Sequence, residues 1–283
     1  MAQDTGISPA ELRRLASRAR ELALRAVQRA QAGHIGGPLS VMDILTVLYF
    51  RVLRIDPARP RWPERDRLIL SKGHSAVGLY AVLALRGYFP EDELATFDAA
   101  RSRLQGHPDM TALPGLDMST GSLGQGLSVG LGMVLAARAQ GLAFRAYVVL
   151  GDGELQEGQV WEAADVAAKY RAGALTAILD WNRLQQFGWE ENGRRLPPVA
   201  NPGERFRSFG WRVLECDGHD HGAIAAACAA AAAHEGGPTL IVARTVKGKG
   251  VSFMEDRHEW HSKPLSAEEL EAAARELREA AGP

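Results

Sequence analysis

Cysteine is almost missing: Cys216 and Cys228 are the two in 283 residues. That is too few for a disulfide framework or a cysteine-built zinc site, and it fits a reducing cytoplasm. Charge of one sign is missing too. Lys and Arg total 33 against 34 Asp and Glu, a net charge of −1, so no basic field exists for nucleic acid or an anionic membrane surface. The local basic clusters, Arg13-Arg14 and the arginines from Arg51 to Arg67, are interleaved with apolar or acidic residues and read as solvated faces. No apolar run approaches a membrane span. The N-terminus lacks the apolar core of a signal peptide, and acids from Asp4 onward argue against a transit peptide. The expectation is a cytoplasmic chain with no nucleic-acid or membrane partner.

What is present is ordinary globular composition, 46% hydrophobic and 24% charged, in a chain long enough for one large α/β domain or two small ones. Ser8-Pro9-Ala10-Glu11 reads as a helix start, with the serine capping and the glutamate at the third position. Apolar residues then recur at three and four spacing through Leu12, Leu15, Ala16, Leu22, Leu24 and Val27, which predicts an amphipathic helix to Gln31. Gly33 to Pro38 breaks it, and a second helix is expected from Leu39 to Phe50. Strands are predicted at Arg67–Leu70, Ala146–Leu150, Leu175–Leu179, Val213–Glu215 and Thr239–Ala243. Helices are predicted at Ala76–Leu85, from the Gly121–Gly126 stretch to Ala139, at Gln159–Tyr170, at Ala223–His234 and from Ala267. Residues 89–116 read as irregular. Strand and helix alternate without internal repeat or linker. That pattern implies a doubly wound, mostly parallel α/β sheet in one domain over 1–283, with a helical region of about 1–60 packed on it and a C-terminal helix at about 265–281.

The most informative stretch is Val148-Val-Leu-Gly-Asp-Gly-Glu-Leu-Gln-Glu-Gly158. A buried strand delivers an Asp-Gly pair at its carboxyl end, where open α/β sheets bind ligands, and the flanking glycines let backbone N–H groups approach a bulky anion. One strand later, Ile178-Leu-Asp-Trp-Asn182 offers another oxygen at a carboxyl end. One carboxylate (Asp152), one amide oxygen (Asn182) and a nearby carbonyl suit magnesium, which takes few protein oxygens and shares the rest with phosphate or water. No Gly-x4-Gly-Lys-Ser/Thr occurs, and the Gly124 region lacks the strand and later acid of a dinucleotide site.

Gly151-Asp152-Gly153 followed by Asn182 resembles the signature of thiamine-diphosphate enzymes. Six further stretches, in order between about Ser8 and Leu265, narrow the resemblance to transketolases: Gly33-His34-Ile-Gly-Gly-Pro38, Leu70-Ser-Lys-Gly-His74, Gly106-His107-Pro-Asp109, Thr120-Gly-Ser-Leu-Gly-Gln-Gly126, Val246-Lys-Gly-Lys-Gly250 and Trp260-His261-Ser-Lys-Pro264. The resemblance implies a thiamine-diphosphate-binding (PP-type) fold, with Asp152, Asn182 and the carbonyl of Leu184 as magnesium ligands. Gly153 would bind the diphosphate through its backbone, with Glu154 nearby. Gly121, Ser122 and Leu123 would lie beside the cofactor's rings, and Ser122 replaces the proline of most relatives. Lys72 and Lys247 would reach the diphosphate as point charges. His34 and His261 would contact reacting oxygens, His107 the two-carbon ketol unit, and His74 both diphosphate and substrate; proton traffic near neutral pH suits imidazole.

Several readings stay open. His258 and His261 are both candidates for the last histidine; the resemblance favours His261, although Ser262 replaces the family's glycine. Glu157 is either an acid at the subunit interface relaying protons or a solvent-exposed helix-start acid. His219 and His221 are read as loop and helix-start structure, and His234 as a helix end.

The resemblance further implies a transferase moving a ketol unit from a ketose phosphate to an aldose phosphate. In transketolases the glutamate that activates the cofactor comes from a separate pyrimidine-binding domain, and the chain ends soon after Pro264. The expectation is therefore a two-gene enzyme whose second chain carries the pyrimidine-binding and C-terminal domains, in an assembly of two copies of each. The diphosphate-binding subunit of a 2-oxo-acid dehydrogenase, the deoxyxylulose-phosphate relative and a non-catalytic subunit retaining the fold are the competing readings.

Overall fold

The structure is a computed structural model and describes residues 6–282. Helix α1 (Pro9–Ala30) starts on a complete capping box between Ser8 and Glu11, with Pro9 in the first turn. Helix α2 (Gly36–Val47) begins three residues before the predicted start. Its first turn takes in Gly36, at which a Cβ would stand 2.8 Å from the carbonyl oxygen of Trp260. The helix then continues as one π-helical turn over Leu48–Val52.

After β1 (Arg67–Leu70) and α3 (Ala76–Leu85), an irregular stretch leads to α4 (Gly126–Ala139). That helix starts at the end of the Gly-rich motif, not at its first glycine. Strand β2 (Ala146–Gly151), α5 (Gly158–Lys169) and β3 (Leu175–Trp181) follow. Three elements had no sequence prediction: the hairpin β4 (Trp189–Glu191) and β5 (Arg194–Leu196), and the short helix α6 (Pro202–Ser208). Strand β6 (Arg212–Asp217), α7 (His221–Ala232), β7 (Thr239–Arg244) and α8 (Ala267–Ala281) complete the chain.

Five strands form one sheet in the order β1-β2-β3-β7-β6, and every pairing is parallel. Side chains alternate across it with period two. Leu68, Leu70, Tyr147, Val149, Ile178, Ile241 and Ala243 enter a core shared with α1, α2, α3 and α7. Ile69, Val148, Leu150, Ala177, Leu179, Leu240 and Val242 enter a second core with α4, α5 and α6. A sheet buried on both faces explains why its strands read as nearly continuous apolar runs. Each fully buried Leu, Ile or Val here contributes roughly 1.5–3 kcal/mol. On the α4 side the helix lies close against the sheet at Gly130, where a Cβ would lie 2.5 Å from Val148.

The two cores also explain where a ligand can enter. Chain leaving β1 and β7 turns toward the first core, through α3 and through Val251 and Met254. Chain leaving β2 and β3 turns toward the second, through Leu155 and Val160 and through Val199 and Phe206. Departing to opposite faces, these connections part at the carboxyl edge of the sheet and leave a crevice there.

Candidate active site

A cleft of about 420 Å³ occupies that crevice. Its floor comes from the ends of β2 and β3, which run in register with Gly151 opposite Asp180. Asp152 is 3% exposed. Its carboxylate accepts the N–H of Gly153 at 2.9 Å and the N–H of Arg183. Asn182 folds back so that its Oδ1 accepts the N–H of Leu184 at 3.0 Å. This tight turn places Arg183 at φ +64°, an uncommon backbone for a residue with a side chain. Asp152, Asn182 and Leu184 thus face one cleft.

Behind them sits a buried carboxylate that the sequence motifs did not single out. Residues 178 and 180 share one face of β3, the face that enters the core with α2, so Asp180 points toward α2 and not into solvent. It is fully buried, ion-paired to Lys72 Nζ, and accepts the hydroxyls of Ser40 and Thr245. Ser40 also accepts Asn182 Nδ2 at 3.2 Å. The signal was legible: an acid inside an apolar buried strand needs a partner. Burial, followed by the charge of Asp180, pushes the Asp152 carboxyl up to about 7. Among the described residues no Lys or Arg forms an ion pair with Asp152, because Lys72 is engaged by Asp180 and Lys247 by Gln185 and His261. A buried carboxylate beside an amide oxygen, without a cation of its own, is the environment a divalent ion relieves. Among the described residues no three His, Cys, Asp or Glu gather as a metal site, so a cation here needs amide and carbonyl oxygens as well.

The same cleft is lined by four imidazoles delivered by four separate segments. His34 lies between α1 and α2, His74 in a 3-10 turn after β1, His107 in the irregular stretch and His261 in the 3-10 turn 258–261. The His34 ring centre is 5.3 Å from His74, 5.9 Å from His107 and 5.1 Å from His261, and His74 is 5.2 Å from His261. The close packing needs Gly73, whose Cβ would stand 2.6 Å from the carbonyl carbon of Thr120.

Burial lowers the pKa of His34, with His107 and Lys247 adding to it. His74 falls well below the usual range through burial and then Lys72. His261 is pushed to about 3 by burial and then Lys247. Lys247 itself falls to about 8, chiefly through burial. Its ammonium donates to Gln185 O at 2.6 Å and meets His261 Nδ1 at 2.8 Å. Since an ammonium can only donate, His261 is the neutral tautomer with its proton on Nε2.

The family model described as the thiamine diphosphate binding domain of transketolase matches residues 12–280. The chain belongs to the transketolase family. It is 43% identical over 267 residues to a 6-deoxy-6-sulfo-D-fructose transketolase subunit of Clostridium sp. (strain MSTE9), covering 94% of this chain and 96% of that one. It is 40% identical to one subunit of the apulose-4-phosphate transketolase of Phocaeicola vulgatus, over 89% of both. Solved transketolases from Leishmania mexicana (TM-score 0.87, 30% identity) and Campylobacter jejuni (TM-score 0.85, 33% identity) superpose on 94% of the chain. The chain spans 41% and 42% of those two longer proteins, respectively.

Within this transketolase-family fold, the cleft gathers His34, His74, His107, His261, Gly121, Leu123, Gly153, Glu154, Asn182 and Lys247, all anticipated from sequence. Ser122 is exposed and does not line it. His258 also lies outside, with Nδ1 3.6 Å from Glu259. Glu154 lines the cleft, but its carboxylate is held by the Ser71 hydroxyl and by the N–H groups of Gly124 (2.8 Å) and Gly151 (3.0 Å). It ties the Gly121–Gly126 segment to the β2 turn. Glu157 is exposed at the rim and begins α5. Gln185, Gln186 and Phe187 also line the cleft. They precede the unpredicted hairpin and carried no chemical signature.

The depressed histidines give a pH prediction. Each must take up a proton on unfolding below its ordinary value of about 6.5. Their stabilising contribution is therefore full above pH 6.5 and declines as pH falls toward the folded values. Asp152, whose pKa is raised, acts in the opposite sense between 3.8 and about 7, so the informative quantity is a difference. The stability gap between wild type and His74→Gln should shrink from pH 7 to pH 4.5 in urea unfolding. A constant gap would remove the buried neutral state assigned to His74.

Proposed function

We propose that this chain is the diphosphate-holding subunit of a two-chain transketolase, transferring a two-carbon ketol unit from a ketose phosphate to an aldose phosphate. The observation that carries the reading is that two sets line one cleft: Asp152, Asn182 and Leu184 at the strand ends, and four imidazoles, with the His34 ring centre within 5.9 Å of each of the other three. Asp152, Asn182 Oδ1 and the Leu184 carbonyl would hold magnesium, and Gly153 would meet the diphosphate. Thiamine diphosphate, when bound, supplies a nucleophilic carbon and an electron sink for the transferred unit.

The chain's own contribution is to bind, orient and move protons. His261 presents Nε2–H as a donor toward a substrate oxygen, its ring fixed by Lys247. His34 and His74, both neutral, can each accept a hydroxyl proton without first losing one. His107, exposed on the outer side of the cluster, would meet the ketol unit. Gly121 and Leu123 would border the cofactor rings. The relatives named as subunits match this chain over nearly their whole length, which supports a second chain bringing the pyrimidine-binding and C-terminal domains and the activating glutamate. Two copies of each chain, in the cytoplasm, is the assembly we favour.

The test is reconstitution with the candidate partner chain, thiamine diphosphate and magnesium. D-Xylulose 5-phosphate and D-fructose 6-phosphate serve as donors, and D-ribose 5-phosphate and D-erythrose 4-phosphate as acceptors. Ketol transfer that needs both chains is expected. Transfer by this chain alone would overturn the two-chain part. Pyruvate decarboxylation without ketol transfer would overturn the reaction assigned.

A further inference from the structure

Outside the cleft lining, a buried carboxylate gathers an unusual set of partners. Asp43, on α2, is 4% exposed. Arg20 of α1 grips both of its oxygens. His219 Nδ1 lies 2.8 Å from Oδ2, and His221 Nε2 lies 3.0 Å from Oδ1. Burial opposes ionisation here, but Arg20 and the hydrogen bonds from the two imidazoles overcome it and hold the carboxyl well below its ordinary range. An ionised Asp43 accepts only, so His219 carries its proton on Nδ1 and leaves Nε2 bare. That bare nitrogen accepts the backbone N–H of Val246 at 2.9 Å.

Val246 immediately precedes Lys247. The segment is pinned on both sides of that lysine: by His219 at the Val246 N–H, and by Gly36 O at the Gly248 N–H, 2.9 Å away. The Lys247 carbonyl accepts from Asp256 N–H at 2.8 Å. Between these anchors a side chain 2% exposed runs to Gln185 and His261. Charge compensation alone does not explain the arrangement. Arg20 already matches the Asp43 charge, and only the far nitrogen of His219 touches the lysine segment.

We propose that His219, aimed by Asp43, is a positioning residue: it fixes the Val246 amide so that the Lys247 ammonium meets Nδ1 of His261 and sets that ring's donor face in the cleft. The role in catalysis rests on the function proposed above; the positioning of His261 does not.

Two substitutions separate the roles of the two nitrogens. His219→Gln carries an acceptor about as far as Nε2 and can keep Val246. His219→Asn reaches only to the place of Nδ1, so it can satisfy Asp43 but loses Val246. In the assembled two-chain protein, magnesium-dependent thiamine diphosphate affinity, read by calorimetry, should fall about tenfold in the Asn variant and no more than about twofold in the Gln variant. In a Lys247→Met background the Asn substitution should have no further effect, since an effect exerted through Lys247 cannot survive its removal.

Nitrogen-15 shifts of His261 in the cofactor-free chain give a second readout. Wild type and His219→Gln should show the Nε2–H tautomer, and His219→Asn a mixture. The inference is overturned by an Asn variant with wild-type His261 shifts, by a Gln variant that weakens binding more than Asn, or by an undiminished Asn effect on Lys247→Met. Wild-type chains that bind no cofactor would instead sink the proposed function, and the His261 shifts would then decide the positioning role alone.

Discussion

Asp152→Asn should abolish magnesium-dependent binding of thiamine diphosphate, with a loss of affinity beyond the roughly 10- to 100-fold typical of residues that merely orient a metal ligand. Asp152 is the only carboxylate among the three oxygen donors assigned to the ion, and it is buried without an ion-pair partner among the described residues. An amide in its place keeps the shape and removes the charge that attracts magnesium. The same substitution is not expected to stabilise the cofactor-free chain, although it removes a disfavoured buried charge. Both carboxylate oxygens accept backbone N–H groups, from Gly153 and Arg183, so the new NH₂ must face one of those donors. Calorimetry and thermal shift with the cofactor and about 5 mM magnesium, enough to supply a hard cation that dehydrates reluctantly, would check this. Binding within about threefold of wild type would displace Asp152 from the metal site.

Much of this site was legible because its parts sit at strand ends in stretches of fixed chemistry. Asp152 and Asn182 follow apolar runs that could only be buried parallel strands, and three of the four histidines, His34, His74 and His107, directly follow a glycine in short motifs. Local sequence also resolved α1, whose capping box and apolar stripe agree. What failed was decided by contacts far apart in the chain. Nothing near Gly36 announces that a helix starts there; the carbonyl of Trp260 forbids a side chain at that position. Lys72 does line the cleft; what its motif did not show is the ion pair with Asp180, 108 residues later. Glu154 lines the cleft too; what its motif did not show is that its carboxylate holds the N–H groups of two backbone segments. His258 and His261 could not be told apart by spacing. The turn resolves them, because His261 alone enters the cleft beside Lys247. The β4–β5 hairpin escaped detection because its strands are three residues each, too short for a period to show.

The Lys72–Asp180 pair yields the second large effect. Lys72→Met should destabilise the chain by about 3–5 kcal/mol, since it leaves a fully buried carboxylate with hydroxyl donors but no ion-pair partner among the described residues. Asp180→Asn in the same chain should recover most of that loss, because an amide oxygen can still accept from Ser40 and Thr245 without a charge to compensate. The pair also governs the metal site, in opposite directions: Asp180 raises the Asp152 carboxyl and Lys72 lowers it. Loss of Lys72 alone therefore favours protonated Asp152, and magnesium-dependent affinity should fall at neutral pH. Loss of both charges removes one influence of each sign, and affinity should return together with stability. Urea unfolding and cofactor titration of the single and double variants read the two quantities separately. Stability restored with affinity still lost would mean that Lys72 meets the diphosphate directly, as the sequence resemblance implied, and that its bond to Asp180 is a resting position rather than its function.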